Sequence, residues 1–286
     1  MMSSTRRIVI DAEGVARQFL FFLPAPAPTR IPLVIMFHGT GGTAAWAEEE
    51  TGWSNLAARK GFAVAYPEGL PPDPTKPPKF LTNPPVWHDG SFPDFGVQLR
   101  DREFVGTMLD VIAAEAPIDP TRIYATGFSN GAGMTFACAT FLADRIAAIA
   151  PVAGHCWIEN PRPVRPVPTF AIYGKDDPII PTLGGQISTP WGQTYKPSVV
   201  ETLRKWAHAI GCGQTPEVIQ ETAQTVLEAY PAGADAERFL ALTVNGLGHH
   251  WPGGLGRLSE RIAGKPSAAV NACERIWEFF RGKVLA

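Results

Sequence analysis

Hydrophobic and polar positions along this chain switch repeatedly between a strand-like and a helix-like period, and the switching predicts its elements. Arg7 to Ile10 and Ala16 to Leu23 read as two strands joined by a turn at Glu13-Gly14. Pro32 to Phe37 is apolar throughout, which suits a central strand covered on both faces. A helix over Trp53 to Lys60 closes at Gly61, and Phe62 to Tyr66 makes the next strand. Phe104, Met108 and Ile112 give Asp101 to Ala114 helical spacing. Arg122 to Thr126, after the breaker Pro120, then Ile146 to Val152 and Val167 to Tyr173 are further apolar strands.

Towards the C-terminus, Ser198-Val199-Val200-Glu201 is a capping box. The helix it starts has Val200, Leu203, Ala207 and Ile210 as its expected buried stripe, puts His208 on the solvent face and ends at Gly211. Arg238 to Val244 is expected to be the last strand, and Ser267 to cap a final helix running through Phe280. Strands and helices alternate without a repeat. The pattern predicts an α/β fold: a mostly parallel, doubly wound sheet with helices on both faces and no separate lid domain, in one domain over residues 1–286. Ligands are expected at the carboxyl ends of its strands. Two long loops leave that side, Pro67 to Pro93, with nine prolines and Trp87-His88 inside it, and Pro178 to Pro197, which holds Trp191. Loops of this length in compact domains are commonly functional.

Composition narrows the chemistry. With 286 residues, 45% hydrophobic and 18% charged, and a net charge of -2, the chain has no basic surplus for a nucleic acid backbone. No apolar run has the length of a membrane helix, so neither membrane nor nucleic acid is an expected partner, and a soluble protein is expected. Arg6-Arg7 lacks the apolar segment that a twin-arginine signal requires, and Phe19 to Leu23 follows acidic residues and reads as strand rather than signal peptide. That leaves a cytoplasmic protein, or one exported with a signal outside this sequence. Cys138, Cys156, Cys212 and Cys273 show no C-x-x-C spacing, so no metal site is expected; buried free thiols are the expectation, with a Cys138 to Cys156 bridge as the alternative.

Candidate chemistry centres on Gly127-Phe128-Ser129-Asn130-Gly131, a G-x-S-x-G segment between a strand and a run of small residues suited to a close-packed helix. A serine hydroxyl is a poor nucleophile until a base activates it, and a sharp strand-to-helix turn presents it to one. The acid and histidine of such a site follow the serine, each on a loop after a later strand. His155 precedes any acid loop and His208 sits on a helix face, which leaves Gly248-His249-His250-Trp251. Among the acids, Asp144 belongs to a helix end and Asp235 precedes a strand, whereas Asp176 and Asp177 directly follow one. Upstream, His38-Gly39-Thr40-Gly41-Gly42 leaves a central strand and can aim backbone N–H groups at a developing oxyanion. Trp87, Trp191 and Trp251 are candidate substrate-wall residues, with His88 beside the first.

Four segments, Phe37 to Gly42, Gly127 to Met134, Tyr173 to Pro181 and Gly248-His249-His250-Trp251-Pro252-Gly253-Gly254, resemble the polyhydroxybutyrate depolymerase and feruloyl esterase family of α/β-hydrolases. The resemblance implies a serine esterase with Ser129 as nucleophile, Asp177 rather than Asp176 as acid and His249 rather than His250 as base. It places the oxyanion between the amides of Thr40 and Asn130, without metal or organic cofactor. Short hydroxyalkanoate esters are the leading expected substrates, followed by feruloyl or acetyl esters of plant polysaccharide. An acyltransferase with the same triad and a silent binding scaffold are the alternatives. Many members also pair a cysteine like Cys212 with one before the histidine loop; none lies between Cys212 and His249 here.

Overall fold

The computed structural model describes residues 4–25, 29–91, 100–233 and 238–285. The Asp235 position and the last two residues of the Pro67 to Pro93 loop therefore lie outside the described residues. In chain order, the first elements are β1 (Ser4–Ala12), β2 (Val15–Leu23), β3 (Ile31–Phe37), α1 (Ala44–Thr51), α2 (Trp53–Lys60), β4 (Ala63–Pro67) and α3 (Asp101–Glu115). Next come β5 (Ile118–Phe128), α4 (Asn130–Phe141), β6 (Ala148–Val152), β7 (Thr169–Gly174), the pair β8 (Gly185–Thr189) and β9 (Gly192–Lys196), and α5 (Val199–Ala209). The chain finishes with β10 (Glu217–Glu221), β11 (Thr225–Ala229), β12 (Phe239–Val244), α6 (Glu260–Ala263) and α7 (Ala272–Phe280).

Among the described residues, ten strands form one sheet in the order β1-β2-β4-β3-β5-β6-β7-β12-β11-β10. From β4 to β12 every neighbouring pair is parallel, and antiparallel pairs extend the sheet at both edges. Strands β3, β4, β6 and β7 are buried at every position, as their continuous apolar runs require when helices cover both faces. One face packs against α3, α4 and α5 through Phe104, Met108, Met134, Phe136 and Trp206. The other packs against α1, α2 and α7 through Trp53, Leu56, Ile276 and Trp277, with Phe62 stacked on Trp277 at 4.0 Å. The doubly wound α/β-hydrolase architecture is therefore present. No helix among the described residues is long and apolar enough to cross a membrane.

Several local expectations change. Strand β5 begins at Ile118 and runs through Pro120, because its pairing with β3 jumps from Ile31↔Ile118 to Leu33↔Ile123 and the irregularity accommodates the proline. In α5 the stripe is Val199, Leu203, Trp206 and Ala207, continued by Ile210, whereas Val200 is exposed: the capping box forms at Ser198 and turns the first helical residue inward. Asn271, not Ser267, caps the last helix, its side chain accepting the Glu274 N–H at 3.0 Å. Helix α1 and strands β8 to β11 lacked a hydrophobic period: α1 buries Glu50, and every residue of β10 is exposed. All four cysteines are buried free thiols, so Cys138 and Cys156 do not pair.

Candidate active site

The parallel strands place four loops side by side at their carboxyl ends, and each contributes one part of the site. Strand β5 delivers Ser129 on a turn too tight for ordinary residues. Ser129 itself has φ 58° and ψ -118°, a conformation unusual for a residue with a side chain. A Cβ on Gly127 would lie 2.2 Å from the Gly131 carbonyl oxygen, and one on Gly131 would lie 2.4 Å from the Phe37 carbonyl oxygen. The two glycines of G-x-S-x-G are therefore demanded by backbone approach. The Ser129 N–H donates to the Val152 carbonyl at 2.9 Å, which ties the turn to β6.

After β7, Asp177 is buried, and one of its carboxylate oxygens accepts the N–H groups of Ile179 and Ile180, both at 2.8 Å. Its other oxygen meets His249 Nδ1 at 2.8 Å. His249, on the loop after β12, presents Nε2 to Ser129 Oγ at 2.9 Å and rests its ring on Phe128 at 4.7 Å. The neighbours of the pair are turned elsewhere. Asp176 is exposed, and His250 Nε2 meets the Gly264 carbonyl at 2.8 Å.

The glycine loop after β3 faces this row. Neither the Thr40 nor the Asn130 amide has an acceptor among the described residues, whereas the Gly41 amide donates to Pro85 and the Gly42 amide to Gly39. His38 orders the loop, a role that its position beside a glycine run did not disclose. Its Nδ1 donates to the Gly39 carbonyl at 2.7 Å and its Nε2 accepts the Gly69 N–H at 2.9 Å. Burial lowers its pKa to about 4, so the imidazole is neutral and keeps both bonds.

A cleft of about 990 Å³ opens over Ser129, walled by Trp46, Phe80, Trp157 and Trp191. Trp191 stands at the tip between β8 and β9, its ring 5.1 Å from Phe80 and its indole N–H on the Phe80 carbonyl at 2.9 Å. The other candidate wall residues are not there. Trp87 is fully buried, packs edge-on against Phe37 at 5.2 Å and donates its indole N–H to the His38 carbonyl. Trp251 is in the core with Val270 and Cys273, because the turn that aims His249 at Ser129 directs it inward. His88 is exposed beside Arg100 and Glu13, outside the cleft. Trp46, Phe80 and Trp157 gave no sign in the sequence, since their loops converge only through the sheet.

The sequence profile of the family described as Esterase PHB depolymerase matches residues 17–162, just over half of the chain. The chain belongs to the PHB depolymerase esterase family. It is a carboxylic ester hydrolase. It is 28% identical, over 98% of its length and 83% of the other's, to a Nocardia uniformis subsp. tsuyamanensis protein bearing the name esterase NocK. To poly(3-hydroxyalkanoate) depolymerase C of Paucimonas lemoignei it is 27% identical, over 92% of this chain and 66% of that protein. Feruloyl esterase B of Piromyces equi is 28% identical over 76% of this chain, which spans only 39% of that longer protein. Among solved structures, an acetyl xylan esterase from Aspergillus awamori superimposes with a TM-score of 0.66 over 97% of this chain and 99% of that one; at 16% identity this speaks for the fold.

Proposed function

We propose that this PHB depolymerase family esterase works through an acyl-Ser129 intermediate. The reading rests on one observation: Ser129 Oγ, His249 and Asp177 form a continuous hydrogen-bonded row, 2.9 Å and 2.8 Å long, on the floor of the cleft. Ser129 Oγ attacks the ester carbonyl carbon as His249 Nε2 takes its proton. The carbonyl oxygen becomes an oxyanion held by the Thr40 and Asn130 amides. Collapse breaks the bond to the alcohol oxygen, which leaves with the proton from His249. Water then attacks the acyl carbon with His249 again as base, and the acid departs as Ser129 regains its proton. Asp177, fixed by two amides, orients the imidazole throughout.

The substrate is proposed to be a short hydroxyalkanoate ester, with feruloyl and acetyl esters of polysaccharide as the second reading. The cleft is broad, aromatic-walled and open, which fits an oligomeric acyl chain better than a compact acetyl group. The similarity to poly(3-hydroxyalkanoate) depolymerase C favours the same order. The test is Ser129→Ala, with turnover of hydroxybutyrate oligomers, methyl ferulate and acetylated xylan compared on both proteins. Loss of roughly four to six orders of magnitude with folding intact is expected. A folded variant that keeps a tenth of the rate would rule out the serine mechanism, and preference for ferulate would reverse the substrate order.

A further inference from the structure

The cleft continues past the nucleophile into a polar end. Gly154 lies so close to Ser129 that a Cβ there would sit 2.3 Å from the Ser129 carbonyl oxygen. The next residue, His155, and then Trp157 carry the wall outward, their rings edge to face at 5.4 Å. Lys196, at the end of β9, lays its ammonium over the Trp157 face, 4.9 Å from the ring centroid. These side chains come from the loop after β6 and from the last residue of β9, and all three line the cleft.

Two donors at this end lack acceptors. Lys196 is half-buried, and among the described residues its ammonium has neither a carboxylate in ion-pair range nor a hydrogen-bond acceptor. An ammonium held only by an indole face keeps its three N–H groups for a ligand. Burial pulls its pKa down, while the charge of Asp89 acts in the other direction. His155 is 1% exposed, with Nδ1 at 2.8 Å from Thr202 Oγ1 and Nε2 without a partner. The Thr202 hydroxyl has no other acceptor among the described residues, so it donates to Nδ1 and the proton of the neutral ring resides on Nε2.

The nearby carboxylate of Asp89 borders the same cleft and acts on Lys196 through its charge, but neither of its oxygens comes within hydrogen-bond or ion-pair range of these donors. One oxygen of Asp89 accepts the N–H of Ser91 at 2.9 Å and the Ser91 hydroxyl. The other is closed off from solvent against α4, where a Cβ on Gly133 would come within 2.0 Å of it. Burial pushes the Asp89 pKa up to about 6. Asp177 is likewise occupied, by His249 and two amides.

We propose that Lys196, Trp157 and His155 form a subsite for an anionic group, so that the enzyme favours esters that also carry a free carboxylate. This deepens the serine esterase reading and rests on it. The ammonium and the His155 N–H would receive the carboxylate, while the indole face packs the methylenes beside it. A hydroxyacid oligomer with its acid end unesterified has this chemistry. The carboxylate can belong to the acyl part or to the alcohol part, and the substrates below separate the two.

The experiment compares isosteric pairs. The 4-nitrophenyl monoester of adipic acid against 4-nitrophenyl adipamate tests a carboxylate on the acyl part. The pair 4-acetoxybutanoate and 4-acetoxybutanamide tests one on the alcohol part. In the unmodified enzyme at least one pair should show kcat/KM about tenfold higher for the carboxylate, the low end for a charge-assisted hydrogen bond beside solvent. That ratio should fall to near one in Lys196→Met and return in Lys196→Arg. A second readout does not need turnover: on Ser129→Ala, monomethyl glutarate should bind more tightly than dimethyl glutarate, and Lys196→Met should remove the difference. Equal ratios in both pairs, or a preference that survives Lys196→Met, overturns the subsite. Failure of the serine reading would instead appear as turnover retained in Ser129→Ala, with the binding comparison unaffected.

Discussion

Asn130 holds the backbone of Trp87 from both sides. Its Oδ1 accepts the Trp87 N–H at 2.7 Å and its Nδ2 donates to the Trp87 carbonyl at 3.1 Å. The Trp87 indole in turn donates to the His38 carbonyl at 2.9 Å, at the root of the loop that carries Thr40. The residue after Ser129 thus positions the opposite half of the proposed oxyanion site. At the next residue of the Pro67 to Pro93 loop, the His88 N–H donates at 2.7 Å to Asp101 of α3, which also pairs with buried Arg17 at 2.7 Å. The proline-rich segment is therefore clamped at two successive residues.

Asn130→Leu keeps the branching, the number of side-chain heavy atoms and the backbone amide but removes both bonds. The buried Trp87 N–H then lacks an acceptor, which costs about 1–3 kcal/mol. We expect a lower urea midpoint and a fall in kcat of at least about tenfold, with KM changing less, since the geometry lost is that of the oxyanion donors. Unchanged kcat in a folded variant would mean that the clamp does not reach the Thr40 loop.

Adjacent residues separate chemistry from support. His249→Ala and Asp177→Asn should each lower kcat at least about a hundredfold. Asp176→Asn, at an exposed position, should change it less than about tenfold. His250→Ala leaves the Gly264 carbonyl without its partner and should cost about 1–3 kcal/mol of stability while kcat stays within about tenfold. Kinetics paired with denaturant titration check all four, and a larger kcat loss at His250 or Asp176 would reassign the triad.

The three tryptophans should divide in the same way. Trp191→Ala removes an exposed cleft wall, so KM should rise more for a long or aromatic ester than for an acetate. Trp87→Ala and Trp251→Ala open holes in the core and should cost about 3–5 kcal/mol each. Should Trp191→Ala leave the long-to-short ratio of kcat/KM unmoved, the wall function passes to Trp46, Phe80 or Trp157.

Two buried histidines predict acid sensitivity. Burial lowers the pKa of His155 to about 3 and that of His38 to about 4, from an ordinary 6.5. Below pH 6.5 the unfolded chain binds protons that the folded one refuses. Stability is therefore full above 6.5 and falls with pH, by about 1.4 kcal/mol per unit for each histidine, until the folded ring itself protonates. His155→Gln removes one such group. Between pH 6.5 and 5 its unfolding free energy should fall less steeply than that of the unmodified protein, by about one proton; parallel slopes would show that His155 is not held neutral.

The sequence by itself determined the order of the elements and of the candidate chemistry. Short continuous apolar runs bounded by breakers suit strands covered on both faces, so the parallel sheet was legible, and an elbow, an acid turn and a histidine loop at the ends of those strands were expected to meet at one edge. The four segments from Phe37 to Gly254 also carried the family. Tertiary structure decided what depends on contacts between distant loops. The resemblance already pointed to Asp177 over Asp176, and the contacts supply the reason: Asp177 is buried, accepts the Ile179 and Ile180 amides and meets His249, whereas Asp176 is exposed. Which tryptophans face the cleft was invisible, because an indole in a loop carries no period to say which side is inward. Trp87 and Trp251 fill the core, while Trp191 meets Phe80, 111 residues away, at the tip of a hairpin with no buried face strong enough to announce it. A hydrophobic pattern records which face of an element turns inward; a cleft is a gap between elements, and its walls exist only once the sheet has brought them together.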